Sequence, residues 1–105
     1  MDMDTDALRW FRQVAEGDTV TDVAAEHRVS QPSVSRALAR LEAEIGTPLL
    51  QKSGRVLRPT YAGSVFKRHV DAAIGHLDDG LGALAELVDP STGTVAVRTY
   101  SSVQT

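Results

Sequence analysis

Apolar residues near the start of the chain recur every three or four positions, which is the spacing of an amphipathic helix. A first helix is predicted over residues 5–16, where the inward positions are Leu8, Phe11, Val14 and Ala15. Asp4 or Thr5 can cap this helix, because either side chain offers an oxygen to the unpaired backbone N–H groups of the first turn. Of the adjacent Trp10 and Phe11, one is expected in the core and the other exposed near a contact with a second copy.

Two further helices are predicted after Gly17, separated by a three-residue turn. Thr19 can cap a short helix over about 20–27, with inward residues Val20, Val23 and Ala24. Ser30 can cap the next helix, and Pro32 suits its first turn because a proline there gives up no helical hydrogen bond. This third helix is predicted over 31–45, and its buried stripe is Val34, Leu38, Leu41 and Ile45.

A hairpin is predicted where the third helix stops. Gly46 and Pro48 end the helix, and residues 49–58, LLQKSGRVLR, are typical of two short strands joined around Ser53 and Gly54. The hairpin carries three cations, Lys52, Arg55 and Arg58. Two helices joined by a short turn and followed by such a hairpin predict a winged helix-turn-helix.

Thr60 is the expected cap of a long last helix over about residues 61–88. Its apolar residues are spaced alternately four and three apart, as in a helix that packs along another helix, and they are Val70, Ile74, Leu77, Leu81, Leu84 and Val88. Gly75, Gly80 and Gly82 each cost about 1 kcal/mol relative to alanine in a helix. We therefore expect a partner's apolar surface to hold this helix, most simply the same helix of a second copy. The alternative is a helix that folds back on its own domain.

Charge changes this picture, because it is unevenly distributed. The net charge is −3, but residues 20–60 carry six Lys and Arg against four Asp and Glu, whereas residues 1–19 and 61–88 are acidic. No acid lies between Arg28 and Glu42. The third helix and the hairpin are thus predicted to form a locally positive surface that favours a polyanionic partner.

The outward face of the third helix is small, polar and cationic. Small residues let the helix approach base edges in the major groove of DNA. Gln31 can bond adenine and Arg36 can bond guanine in bidentate fashion, whereas the remaining cations are expected on phosphates, with a wing-tip arginine alternatively in the minor groove. The candidate DNA contacts are Ser30, Gln31, Pro32, Ser33, Ser35, Arg36, Arg40, Lys52, Arg55 and Arg58.

The sequence gives little support for metal binding, catalysis or membrane insertion. There is no cysteine, and the three histidines His27, His69 and His76 lack a carboxylate that completes a usual metal-ligand set. No nucleophile and base are paired, so no enzyme, metal or cofactor is expected. The acidic start lacks the features of a signal peptide and no stretch is long enough to span a bilayer, which favours a soluble cytoplasmic protein with no membrane partner.

Several motifs carry a family resemblance. The stretch VSQPSVSRALARLEAEIGTPLL, the later PTYAG, the residues Thr19 to Thr21 and the alanines 24 and 25 resemble the DNA-binding region of LysR-type transcriptional regulators over about residues 5–90. The resemblance implies a mainly α fold, in which three helices and a two-stranded wing precede a dimerisation helix. It also implies a bacterial, nucleoid-associated regulator that binds inverted-repeat operator DNA as a homodimer through that helix, and it allows a tetramer at full length. The family's DNA-facing positions match Gln31, Pro32, Ser33, Ser35 and Arg36, and its wing position matches Arg55.

Some residues depart from the family pattern. Leu50 and Lys52 stand where the family has phenylalanine and arginine, Pro59 replaces a leucine, and His27 occupies a position that is normally apolar.

The resemblance also predicts the domain organisation. Residues 1–59 are expected to be the DNA-binding domain, 60–89 the linker helix, and 90–105 the start of a truncated effector domain, with a strand at 93–100 that has nothing here to pair with. A small-molecule effector would act only through the missing part of that domain. Because fold alone does not fix function, a winged-helix protein-interaction scaffold and a MarR-type repressor remain alternatives.

Overall fold

The computed structural model describes residues 3–89 together with Thr94 and Val95, and these residues form four helices and two small antiparallel sheets. The elements are α1 Thr5–Glu16, α2 Val20–His27, α3 Gln31–Ile45, β1 Leu50–Ser53, β2 Val56–Pro59, α4 Tyr61–Leu87, β3 Val88–Asp89 and β4 Thr94–Val95. The predicted bounds of the first three helices are confirmed. The chain divides into two compact units inside α4, one ending at Ala72 and the other beginning at Ala73. The functional boundary at residue 59 stays a prediction.

Side-chain oxygens cap the helix starts, as the sequence predicts. Asp4 accepts from the backbone N–H of Asp6 at 3.1 Å, Thr19 from that of Asp22 at 3.0 Å, Ser30 from that of Ser33 at 3.2 Å and Thr60 from that of Gly63 at 3.0 Å. Of the two caps considered for α1, the structure selects Asp4. The turn between α2 and α3 begins at Arg28, which adopts the left-handed conformation at φ 59° and ψ 42°.

Apolar faces of α1, α2 and α3 meet in the core of the first unit. Phe11, Val14, Val23 and Val34 are fully buried there. The expectation that one of Trp10 and Phe11 is exposed is wrong, because Trp10 is only 9% exposed and Phe11 is completely covered. The Phe11 ring lies 5.7 Å from that of Phe66 on α4. Ile45, the last member of the predicted α3 stripe, is only half-buried.

His27 fits its usually apolar position because α1 supplies a polar partner. Its Nε2 lies 2.6 Å from Oε1 of Gln13, and its ring centroid lies 6.1 Å from that of Trp10. The amide nitrogen of Gln13 donates in turn to Glu26 at 2.9 Å and to Asp18 at 3.2 Å. The half-buried imidazole is therefore hydrogen-bonded, which limits the cost of placing a polar group there.

A short second hairpin follows α4. Val88 pairs with Val95 and Asp89 with Thr94 in antiparallel register. The helix predicted over about 61–88 is confirmed except that it ends one residue earlier, at Leu87, where β3 begins. The expectation that the following strand lacks a pairing partner is wrong. The rest of the strand predicted at 93–100, and the remainder of the predicted effector segment, lie outside the described residues.

The base of the wing lies directly against the start of α4. The carbonyl oxygen of Leu49 accepts from the backbone N–H of Thr60 at 3.0 Å, and that of Pro48 accepts from the Thr60 hydroxyl at 2.8 Å. A Cβ atom at Gly63 would overlap the Leu49 carbonyl oxygen. The close approach of the two backbones thus requires glycine at position 63.

Replacing Gly63 with alanine is expected to lower the free energy of unfolding by about 1–3 kcal/mol, because the added methyl group displaces the Leu49 backbone. Gly82→Ala is the matched control. An added Cβ at Gly82 meets nothing within 4 Å, so that variant should instead stabilise the helix by up to about 1 kcal/mol. Urea unfolding followed by circular dichroism measures both changes. Equal effects of the two variants would contradict the proposed steric role of Gly63.

Lys67 on α4 lies between two carboxylates, that of Asp71 on the same helix and that of Glu16 on α1. Its Nζ lies 2.8 Å from Asp71 and 3.3 Å from Glu16, and its side chain is 22% exposed. The hydrogen bond to Asp71, assisted by Glu16, raises the pKa of Lys67 despite its partial burial. Folding therefore favours the protonated amine.

The stabilisation from Lys67 should consequently depend on pH. Since the pKa is higher in the folded chain, this contribution is complete below the ordinary lysine value of about 10.4 and is lost as the pH rises through the raised pKa. Lys67→Met should cost roughly 0.2–1 kcal/mol at pH 7 and progressively less in the alkaline range. Urea unfolding of both proteins across that range measures the difference. Arg68→Met is the control, since arginine keeps its charge there; a Lys67 effect independent of pH would refute the assignment.

Candidate nucleic-acid interface

The recognition surface, defined here as the outward face of α3, is set by burial of the opposite face. Val34, Leu38 and Leu41 are buried. On the other side the exposed residues are Gln31, Pro32, Ser35, Arg36, Ala39 and Arg40, with Ser33 half-buried. The predicted orientation of α3 is confirmed.

The start of α3 is held by its own serines. The hydroxyl oxygens of Ser30 and Ser33 are 2.7 Å apart, and Ser30 also accepts the Ser33 backbone N–H. Pro32 lies in the first turn, as predicted. Ser30 therefore has a structural role as the helix cap, in addition to any contact with a ligand.

A cleft of about 390 Å³ opens between the start of α2, the start of α3 and the wing. Gln31, Lys52 and Arg55 line it, so the structure brings a candidate base contact next to two wing cations. Thr19 and Thr21 line the facing side, at the N-terminus of α2. The backbone N–H groups of a helix start favour an anion such as phosphate.

These two threonines were missing from the predicted site. The local sequence marks Thr19 as a cap, but its position opposite the wing depends on how α2 packs against α3. The signal that could have identified them is the helix-turn-helix geometry itself, in which the first helix of the pair crosses the DNA backbone.

The three wing cations do not share one face. Lys52 lies opposite Leu57 and Arg58 lies opposite Gln51 in the register of the hairpin. Because side chains alternate between the two faces of a strand, Lys52 and Arg58 project from opposite faces. Arg55 is at the turn, after Gly54 with its φ of 65°. All three side chains are exposed, but Lys52 and Arg55 line the cleft, and Arg58 is not among its lining residues.

Arg40 occupies a separate groove of about 330 Å³ between the start of α1 and α3. Asp4 and Glu44 line the same groove, so acids outnumber its one cation, whereas the cleft beside the wing has two cations and one acid, Asp18. Arg36 is exposed midway along α3. The candidate phosphate contacts Arg40, Lys52, Arg55 and Arg58 are thus divided between α3 and the wing and do not form one cluster.

The apolar residues predicted for dimerisation fall into two groups. Val70 and Ile74 are 3% and 2% exposed within the single chain, so their burial needs no partner. Leu77, Leu81, Leu84 and Val88 are 43% to 61% exposed. We call these last four residues the exposed stripe. They are the part of the six-residue candidate dimer surface that remains uncovered in the single chain.

Other kinds of site are not evident in the described part of the chain. Among residues 3–89, 94 and 95, no group of three or more His, Asp or Glu side chains is placed to hold a metal ion. His69 and His76 are both exposed on α4. No helix formed by the described residues is long and apolar enough to cross a membrane.

The three helices, the two-stranded wing and the exposed cationic face of α3 define a winged helix-turn-helix module of the DNA-binding type. The family model described as "Bacterial regulatory helix-turn-helix protein, lysR family" matches residues 5–64. The chain belongs to this family. The fold class predicted from the sequence is confirmed.

Relatives of known sequence cover most of the chain. Regulatory protein NocR of Agrobacterium tumefaciens is 37% identical over 99 residues, which is 90% of this chain and 32% of NocR. Transcriptional dual regulator GltC of Bacillus subtilis is 35% identical over 95 residues, with 90% and 32% of the two chains covered. The chain therefore spans about a third of the length of these relatives.

Solved structures with the same fold include DNA complexes. The DNA-binding domain of BenM, solved with catB site 1 DNA, is 26% identical and gives a TM-score of 0.74, covering 83% of this chain and 97% of that one. Full-length CbnR, solved with its target DNA, is 32% identical and gives a TM-score of 0.65, covering 80% and 30% respectively.

Proposed function

We propose that this chain binds double-stranded operator DNA in a sequence-specific manner, as the DNA-binding part of a bacterial transcription regulator acting in the cytoplasm on the nucleoid. The observation that carries the proposal is the recognition surface, where small and cationic side chains are exposed because the opposite side of α3 is the core. Membership of the lysR family supports it and disfavours both a MarR-type repressor and a mere interaction scaffold.

Each part of the interface has a distinct proposed role. Gln31 and Arg36 contact base edges in the major groove, while Ser33 and Ser35 keep the helix surface low enough to enter it. Lys52 and Arg55 bind phosphates beside the start of α2, with minor-groove insertion of Arg55 as the alternative. Arg40 and Arg58 add phosphate contacts outside the cleft, and Ser30 and Pro32 hold the start of α3 near the DNA backbone.

We further propose a homodimer formed through the exposed stripe. Leu77, Leu81 and Leu84 recur at helical spacing towards the end of α4, Val88 follows in β3, and all four side chains are exposed. Neighbouring exposed apolar side chains of this kind mark an interaction surface. A second copy would cover the stripe and supply a second recognition surface, which matches the two half-sites of an inverted repeat. Effector binding and tetramer formation belong, under this proposal, to the longer protein.

Arg36→Ala should weaken operator binding by about 1–3 kcal/mol and relax the preference for one base pair, because it removes a bidentate base contact. Arg40→Ala should weaken binding about equally to all sequences and reduce the salt dependence by about one counterion. Fluorescence anisotropy on operator and scrambled duplexes at several salt concentrations separates the two. Arg12→Ala, on α1, is the control. Binding that is insensitive to salt would exclude the proposed function.

Leu81→Glu should turn the dimer into a monomer, since it places a charge in the middle of the exposed stripe. Operator affinity should fall by about 100-fold or more as the second half-site contact is lost. Ala83→Glu adds the same charge to α4 away from the stripe and should leave both properties unchanged. Light scattering measures the mass and anisotropy the affinity; a dimeric Leu81→Glu variant would exclude this surface.

A further inference from the structure

Glu42 connects the recognition helix to the wing. One oxygen of its carboxylate, Oε2, accepts the backbone N–H of Leu49 at 2.7 Å and that of Leu50 at 3.0 Å. Leu50 is the first residue of β1, and Leu49 precedes it with only 1% of its surface exposed. A single carboxylate oxygen thus holds the place where the wing begins.

The segment that Glu42 holds is fixed from a second side as well. The Leu49 carbonyl accepts from Thr60 and lies against Gly63, which ties the segment to the start of α4. Glu42 ties the same segment to α3. The wing is therefore positioned relative to the recognition surface at one short joint, which we define as Pro48, Leu49 and Leu50.

Charge alone gives no reason for an acid at position 42. Glu42 ends the acid-free stretch of the sequence that begins at Arg28, and a carboxylate near a DNA-binding surface repels phosphate. The side chain is half-buried and bonded to backbone at the wing base. Its contacts give a geometric reason for its presence, because a buried backbone N–H without a hydrogen-bond partner is destabilising.

We propose that Glu42 is a positioning residue for DNA binding, whose carboxylate holds the wing so that Arg55 and the recognition surface engage the same duplex. The inference rests on the proposed function and assigns Glu42 a role in which its own side chain does not contact DNA. Interfaces need their contacting groups held within a fraction of an ångström by supporting residues. Without the hydrogen bonds of Glu42 to this joint, the wing and α3 would each still form. Their contacts with DNA would then no longer both contribute to the binding free energy.

A double-mutant cycle on the full chain tests this proposal. Arg55→Ala should weaken operator binding about tenfold in the native background, the order expected for one charge-assisted contact. In the Glu42→Ala background the same change should have less than about a twofold effect, since the wing is already misplaced. Equal effects in the two backgrounds, measured by anisotropy with thermal unfolding to verify that each variant is folded, would overturn the proposal.

Glu44→Ala is the matched control, because Glu44 lies two residues further along α3 and lines the groove near α1. Removing that charge should leave DNA binding unchanged or slightly stronger, whereas Glu42→Ala should weaken it despite removing the same charge. Glu42→Gln keeps an acceptor and should restore much of the affinity. If Glu42→Ala binds as tightly as Glu44→Ala, Glu42 has no positioning role.

Amide hydrogen exchange without DNA separates this proposal from the proposed function. Glu42→Ala should accelerate exchange at Leu49, Leu50 and the wing while leaving α1 unchanged, and Glu44→Ala should do neither. Unchanged wing exchange would overturn the positioning role whatever the DNA results. An Arg55→Ala variant that binds like the native chain, together with faster wing exchange in Glu42→Ala, would instead refute the wing contact of the proposed function and restrict Glu42 to holding the hairpin.

Discussion

Burial of Val34, Leu38 and Leu41 is the interaction on which the interface depends. Each such side chain contributes about 1.5–3 kcal/mol when fully covered, so a rotation of α3 that exposed the stripe would be strongly unfavourable. At 100° per residue, fixing these three positions inside fixes Arg36 and its neighbours outside. The packing of α3 against α1 and α2 therefore determines which chemistry faces a ligand.

Local signals explain how much of the fold the sequence could predict. Caps and periodicity act within a few residues, so Ser30 and the α3 stripe sufficed to place that helix correctly. The errors occur where pairing between elements decides: Trp10 is buried because it faces α2, and Val88 lies outside the helix because it pairs with Val95, seven residues later. The helical periodicity within α1 or α4 does not indicate either contact.

The candidate site shows the same division. Residue types and helical spacing predicted the recognition surface, but the separation of Lys52 from Arg58 follows from a register that only the formed hairpin reveals. The sequence does not predict the contacts of Gln13 and Glu42, since an isolated polar residue on a helix is most often solvated. Their importance appears when His27 and Leu49 come within hydrogen-bond distance.

The three glycines in the second half of α4 differ in their position relative to the exposed stripe. An added Cβ at Gly75, Gly80 or Gly82 meets nothing within 4 Å in the single chain, so intrachain packing requires none of them. Helical spacing puts Gly80 beside the exposed stripe, three residues after Leu77, and puts the other two on the opposite side. In the proposed dimer, close approach of a second helix would account for Gly80 alone. At the other two positions the absent side chain lowers helix stability by about 1 kcal/mol each, so under that proposal the second half of α4 would depend on the second copy for part of its stability.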